Sequence, residues 1–375
     1  MQYKLQDETD RQIRYTSVDI VKGIAIIMVI LTHYGQNYSI GIARVCNYLR
    51  MGCPIFFVTS GFAIMCLINS RYKGTLNSKN VGQFYYSRFK ALAPGWYIAI
   101  ILIFLVNTIL LFFTRNTLQF GKNRGLISIF CNLLFLNGIL PFCNNNVVPG
   151  GWYIGTTAIL YLLTPIIQKR LNKSKNRKMF FIFSSFVGMV LWAILYLVFR
   201  DGFTNNGFGY YFFLIHYPEY LLGILLYYDI SSHFLQRKHI NMFLLYAIVS
   251  LLSAIVLFYS DISWRLIPSA WMTAIATYFI MYTMISTEKH NKGNIISKVL
   301  EGFGKNSFFI FLLHAFFAWP FVRISLMILG DFGLSQTVSF FVLIPVTLFL
   351  SYIAGLFLRV IVKKVTLVIF QRKTA

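Results

Sequence analysis

The run "VDIVKGIAIIMVILTHYG" at 18–35 reads as a membrane helix, yet Asp19 and Lys22 open it and His33 closes it. Ten uncharged residues separate the base from the ring. An imidazole whose ordinary pKa is about 6.5 can take up or give back a proton near neutrality, the usual task of a general acid or base. At about 100° per residue, Lys22 and His33 come within roughly 20° of one another around the axis, and Asp19 and His33 within roughly 40°. The three share one face, with His33 about 16 Å along the helix from Lys22. Ionisable residues within spans turn toward bundle interiors or wet cavities, and the shared face therefore suggests a polar channel leading toward His33. Taken singly, Asp19 and Lys22 also suit an interfacial position with the Lys snorkelling. A lone membrane His also suits a helix–helix hydrogen bond.

Other chemistry-bearing residues are scattered along the chain. His314 lies mid-span in a late apolar segment and offers a second polar point facing a cavity, or a packing residue that makes a hydrogen bond. Trp152 and Tyr153 begin another span, where they suit the interfacial aromatic belt. His216 and Glu219, three apart, suit a pair on one helix face. The five cysteines (Cys46, Cys53, Cys66, Cys131 and Cys143) show no CxxC spacing and read as small packing residues. No metal site is expected.

The elements that must position these residues follow from composition. Of the 375 residues 57% are hydrophobic and only 12% charged, about half the charged share of a soluble domain. Apolar runs long enough to cross a bilayer recur throughout. The net charge of +23 does not point to nucleic acid, because the basic residues sit in short clusters between apolar runs, as topology signals do. The polar first 19 residues lack a small-residue cleavage site after the first apolar run, so a retained signal-anchor helix is expected.

Eleven apolar segments can be drawn, near 20–36, 49–69, 93–114, 126–142, 150–168, 179–199, 209–228, 240–259, 265–285, 306–328 and 335–360. If all crossed, "QKRLNKSKNRK" at 168–178 would face outward with six Lys or Arg, against the positive-inside rule. The segment 126–142 is short, carries Asn132 and Asn137, and runs into "PFCNNNVVPGG". With that piece external or re-entrant, 24 of the 34 Lys and Arg fall in cytoplasmic pieces and seven in external ones. The expected fold is an all-α polytopic transmembrane bundle of about ten spanning helices plus one external or re-entrant segment, with both termini cytoplasmic. Its parts are a cytoplasmic segment 1–19, one transmembrane domain 20–360 and a cytoplasmic tail 361–375. No internal repeat of the transporter kind is visible.

Six stretches, in order and at ordinary spacing, resemble the integral membrane acyltransferase-3 family of O-acyltransferases. "SVDIVKGIAIIMVILTH" is similar to its LDxLRGIAxxxVxxxH helix, with Asp19, Gly23 and His33 in register and Lys22 in place of Arg. "RMGCPIFFVTSGFAIM" (50–65) is similar to its G-x-x-x-FFxxSGFxI segment. "FYYSRFKALAPGWY" (84–97) keeps Arg88 and Pro94 of the FxxRRxxRIxPxY run, with Ser87 and Ala91 replacing two arginines. "GGWYIGTTAILYLLTPII" (150–167) aligns Trp152, Tyr153, Tyr161 and Pro165, with Thr157 where many members have Glu. "YPEYLLGILL" (217–226) is similar to PxFxxGxxL. "GFGKNSFFIFLLHAFF" (302–317) resembles GxxSYxIYLLH, with Ser307 and His314 in place.

The resemblance implies a membrane O-acetyltransferase of the bacterial cytoplasmic (inner) membrane, active in polysaccharide biosynthesis. Acyl-CoA, commonly acetyl-CoA, would be the co-substrate, with no bound cofactor, and a saccharide or lipid-linked glycan the acceptor. It implies catalytic roles for His33, as base or transient acyl carrier, and for Asp19. Lys22, Arg88 and Lys90 would meet the CoA phosphates. Trp152, Tyr153, His314 and Ser307 would line the acceptor side or the cavity. No GxSxG elbow supports a serine-hydrolase route. A transporter or flippase of a glycan or lipid-linked substrate is the competing reading, since a polar stripe with a titratable His also suits a proton-coupled carrier.

Overall fold

The computed structural model describes residues 15–114, 125–140, 143–200, 208–232, 239–261, 264–288 and 294–371. Most of the expected N-terminal segment, and residues 372–375 of the expected tail, lie outside them. Helix α1 is Thr16–Gly35 and α2 is Ile40–Asn47. A 3₁₀ turn at Tyr48–Met51 leads into α3, Gly52–Tyr72. The next helices are α4 Val81–Thr114, α5 Leu126–Leu133, α6 Gly151–Lys173 and α7 Arg177–Val198. Then come α8 Phe213–Ser232, α9 Ile240–Tyr259, α10 Leu266–Thr287 and α11 Ile295–Phe316. A π turn at Phe317–Phe321 joins α11 to α12, Val322–Asp331, and α13 is Gln336–Gln371.

Ten of these helices have twenty residues or more, and seven helical stretches among the described residues are long and apolar enough to cross a membrane. Of the segment 126–142, the described residues 126–140 hold only the eight-residue α5 and a 3₁₀ turn at Leu136–Gly138, and form no long helix. Several helices outrun the apolar segments that announced them. α4 starts at Val81, so Arg88 and Lys90 stand on a helix rather than in a loop. The stretch "QFYYSRFKALA" contains neither Gly nor Pro and gives the helix no reason to stop before Pro94. α13 runs to Gln371 through Arg359, Lys363 and Lys364, so the expected tail from 361 begins inside a helix.

The chain divides into two compact units. Unit 1 takes Met1–Lys22, Cys53–Ser87 and Ile159–Glu301. Its tightest crossing joins α3 to α8 at two glycines. A Cβ at Gly223 would lie 1.9 Å from the Val58 carbonyl oxygen, and one at Gly61 would lie 2.0 Å from that of Tyr220. Thr164 and Tyr220 share a buried 2.7 Å hydrogen bond nearby. His216 and Glu219, both fully buried on α8, pair at 2.9 Å (Nδ1–Oε2), and Phe57 stacks on the imidazole. α9 and α10 meet along small residues, with Ser269 Oγ donating to the Ala254 carbonyl at 2.8 Å, as close packing in lipid requires. The Glu288 carboxylate accepts hydrogen bonds from Thr16 N and Ser17 Oγ at 2.6 and 3.0 Å, satisfying donors at the start of α1.

Unit 2 takes Gly23–Gly52, Arg88–Ala158 and Gly302–Ala375. α1 is tied to α13 by Tyr34, whose hydroxyl donates to the Phe340 carbonyl at 2.5 Å and accepts from Tyr38 at 2.6 Å. The segment around α5 is fastened by amides and indoles. Trp96 Nε1 of α4 donates to Asn132 O at 2.8 Å, Asn132 Nδ2 reaches Cys143 O at 3.1 Å, and Asn137 Nδ2 reaches Gly151 O at 2.5 Å. Backbone without a long helix is tolerable at membrane depth only when protein satisfies its polar groups. These bonds do so in part. The five cysteines are all buried and free, as packing residues should be.

Candidate active site

His33 sits in the last turn of α1, and the residues just beyond it anchor that turn to the π turn. Asn37 Nδ2 donates to the Tyr34 carbonyl at 2.9 Å and to the Ala318 carbonyl at 2.6 Å. Its Oδ1 accepts from Arg323 Nε at 3.3 Å. Gln36 Oε1 accepts from Trp319 Nε1 at 3.2 Å. The Trp319 indole stands edge-on to the imidazole, centroids 4.7 Å apart. A π turn adds a residue to the helical ladder and re-aims the side chains it carries. Here Pro320, which has no N–H to give, lies within it.

His314 comes one turn before the π turn and is fully buried. Its ring centroid is 5.2 Å from that of His33. His314 Nδ1 lies 2.6 Å from the Phe311 carbonyl oxygen, and because a carbonyl only accepts, that nitrogen carries the proton. His314 Nε2 and His33 Nδ1 are buried and lack a hydrogen-bond partner among the described residues. Arg50, on the 3₁₀ turn before α3, lies near enough for its charge to act on His33, and its Nε is likewise buried without a partner. Gly52 permits this approach, since a Cβ there would lie 2.5 Å from the Ala25 carbonyl oxygen on α1.

Aromatic contacts extend the site. Phe311 lies 5.4 Å from His314 and 5.1 Å from Tyr153, and Trp152 stands 6.2 Å from Tyr153 (all between centroids). Trp152 and Tyr153 are buried. Gly150 makes this junction possible, because its φ of +75° is a left-handed turn that favours glycine, and a Cβ there would lie 3.0 Å from the Phe311 ring. Thr157, one helical turn further on, is buried, and its Oγ1 has no hydrogen-bond partner among the described residues.

The structure therefore brings together His33, His314, Tyr153 and Trp152 of the expected site. Ser307 is buried two turns before His314 on the same face of α11, about 10 Å along the axis. Asp19 is buried and Lys22 half-buried on the unbroken α1, about 21 Å and 16 Å along it from His33. Arg88 and Lys90 are half-buried on the first turns of α4. Sequence reasoning missed Arg50, Gln36, Asn37, Phe311 and Trp319. Arg50 had a visible signal, as the cation directly before the "MGCPIFF" run; the others act through contacts distant in sequence.

Long apolar helices around two neighbouring imidazoles, one half-buried and one fully buried, define an integral membrane protein with titratable groups among its helices. Residues 15–356 match the acyltransferase-3 family along its acyltransferase domain, and the chain belongs to that family. It is a multi-pass membrane acyltransferase. No curated protein matches the chain.

Proposed function

We propose that the protein moves an acetyl group from cytoplasmic acetyl-CoA to a hydroxyl of a cell-envelope or exopolysaccharide sugar in the bacterial inner membrane. The observation that carries this reading is His33 Nδ1, a buried ring nitrogen without a hydrogen-bond partner among the described residues, with Arg50 near enough for its charge to act on the ring and its Nε, a donor, likewise buried without a partner. Acyl transfer needs both: an acceptor for the hydroxyl proton and a donor for the developing oxyanion.

His33 Nδ1 takes the hydroxyl proton as the oxygen attacks the thioester carbonyl carbon. Arg50 steadies the negative charge on the carbonyl oxygen. The C–S bond then breaks, the CoA thiolate leaves, and the proton on His33 passes to it, giving an ester and free CoA. Trp319, oriented by Gln36, holds the imidazole at the required angle. Lys22, Arg88 and Lys90 suit the anionic donor, and the charge distribution along the chain supports a cytoplasmic location for them. Asp19 shares the α1 face with Lys22 and serves to fix it. Trp152 and Tyr153 supply the aromatic surface for the acceptor, with Ser307 further along α11. Ten crossings with both termini cytoplasmic complete the reading, supported by the ten long helices and the absence of one over the described residues 126–140.

The test is acetyl-CoA labelled in the acetyl group, added to membranes containing the wild-type chain or His33→Ala. The expected result is alkali-labile label in a glycan fraction with the wild type. At equal membrane abundance His33→Ala should lower it by about 10²–10⁴-fold. Full transfer by His33→Ala would remove His33 from the reaction. A wild type that transfers no label while moving glycan across the bilayer would favour the carrier reading.

A further inference from the structure

The last helix, α13, lies beyond the six stretches that resemble the family, yet it runs against the helix that bears His314. Three observations fix how the two lie. Arg359 Nη1 donates to Asn306 Oδ1 at 2.9 Å. A Cβ at Gly355 would lie 3.0 Å from the Ile310 backbone nitrogen. Leu343 shares one apolar cluster with Val322, just past the π turn. The pairs step together in opposite senses, 359 with 306, 355 with 310 and 343 with 322. The stretches are therefore antiparallel in a single register, which sets Ser351 opposite His314 and Thr347 opposite Ala318. Thr347, Ser351 and Gly355 follow one another at every fourth residue and share one face of α13.

Thr347 is 1% exposed and Ser351 0%, and neither hydroxyl has a hydrogen-bond partner among the described residues. Other buried hydroxyls on the helices of this chain turn back on their own helix. Thr32, Thr164, Thr273, Thr277 and Thr283 each donate to the carbonyl four residues earlier. Opposite the two that do not, His314 donates through Nδ1 to the Phe311 carbonyl, so its Nε2 presents a lone pair. That nitrogen is also buried without a partner among the described residues. Hydroxyl donors thus face a ring acceptor across the crossing with no direct bond between them. Buried polar groups so placed are what a single water joins, given two to four partners.

We infer that a buried water between α11 and α13 donates to His314 Nε2 and to Thr347 Oγ1 and accepts from Ser351 Oγ. Ser351 is then a positioning residue, acting through His314, whose ring centroid is 5.2 Å from that of His33. A carbonyl at Nδ1 and the water at Nε2 hold the His314 ring against rotation, so that it presents one edge to His33. The water site stands on the geometry alone; its effect on turnover rests on the acyl-transfer reading above.

The full chain in detergent, with ¹⁵N-labelled histidine, tests this, His314 being assigned by the loss of its signals in His314→Gln. In the wild type Nε2 should carry no proton and resonate as a nitrogen that accepts a hydrogen bond. The neighbouring Cε1 proton should receive magnetisation from a bound water. Ser351→Ala should move Nε2 downfield, toward a nitrogen that accepts nothing, and Ser351→Thr, which keeps the hydroxyl, should leave it near the wild type. Thr347→Val keeps the shape and should move it the same way by less. Ser339→Ala, about 18 Å along α13 from Ser351, should not move it. A proton on Nε2, or a wild-type Nε2 that accepts nothing, would overturn the inference, even if Ser351→Ala fails to fold. So would a signal that Ser351→Ala leaves in place, or an equal shift from Ser351→Ala and Ser351→Thr. In membranes with labelled acetyl-CoA, Ser351→Ala should lower turnover about three- to tenfold with KM unchanged, and Ser351→Thr should restore it. A full rate in Ser351→Ala would remove the positioning role. The expected spectra with no ester formed by the wild type would refute the acyl-transfer reading alone. Ester formed by the wild type with any of the overturning spectra would refute this inference alone.

Discussion

At the scale of single residues, Arg50 is the sharpest prediction. Its Nε is buried without a hydrogen-bond partner, and its charge acts on the His33 ring. A donor left unmatched in a buried place costs stability, and an oxyanion arriving only in the transition state is what would repay it. Arg50→Gln should therefore lower turnover by about 10²–10³-fold while leaving the apparent affinity for acetyl-CoA near that of the wild type. Initial rates over a range of donor concentration separate the two effects. A large rise in KM with unchanged turnover would instead place Arg50 on the donor. Asn37 should behave differently, because it touches backbone on α1 and on the π turn and nothing at the reacting atoms. Asn37→Ala should weaken the fold by about 1 kcal/mol, read as a lower melting temperature in detergent, and should reduce turnover only through His33.

At the scale of elements, glycines decide where helices can approach. Gly61 and Gly223 each face a backbone carbonyl of the opposing helix, and backbone cannot step aside as a flexible side chain can. Gly223→Ala should cost about 1–3 kcal/mol by overpacking and lower the melting temperature of the purified chain. Gly41→Ala on α2, where a Cβ would meet nothing within 4 Å, should leave it level or slightly raised. Equal effects of the two changes would mean the α3–α8 crossing is looser than its geometry implies. Much at this scale was readable from residues alone. Apolar runs located all ten long helices, and the polar Asn132 and Asn137 marked the one segment that forms none. Helix ends were less legible, because α4 and α13 continue through charged residues that hydropathy assigns to loops but that suit a helix well. His33 and His314 were both visible as polar points in apolar spans. Their meeting was not, because it depends on contacts 281 residues apart, such as that between Asn37 and Ala318.

At the scale of the whole molecule, the side of the membrane on which each loop lies follows from one decision about residues 126–142. With that segment not crossing, the basic cluster at 169–178 faces the cytoplasm; with it crossing, every later loop changes sides. The five native cysteines are buried, and replacing them with Ala gives a background for single reporters. Lys79, Lys175 and Asp261 are exposed and lie between helices, and Asp331 is exposed at the end of α12. A membrane-impermeant maleimide applied to intact cells should label Asp261→Cys and Asp331→Cys, and should reach Lys79→Cys and Lys175→Cys only after permeabilisation. Lys79 precedes the segment in question and stays cytoplasmic under either topology, so it controls for leakage. Labelling of Lys175→Cys in intact cells, with Asp261→Cys and Asp331→Cys protected, would mean that 126–142 crosses after all. The side on which acetyl-CoA meets Lys22, Arg88 and Lys90 would be unchanged by that result. The side from which everything after residue 142 is reached, including the helix that carries His314, would be reversed.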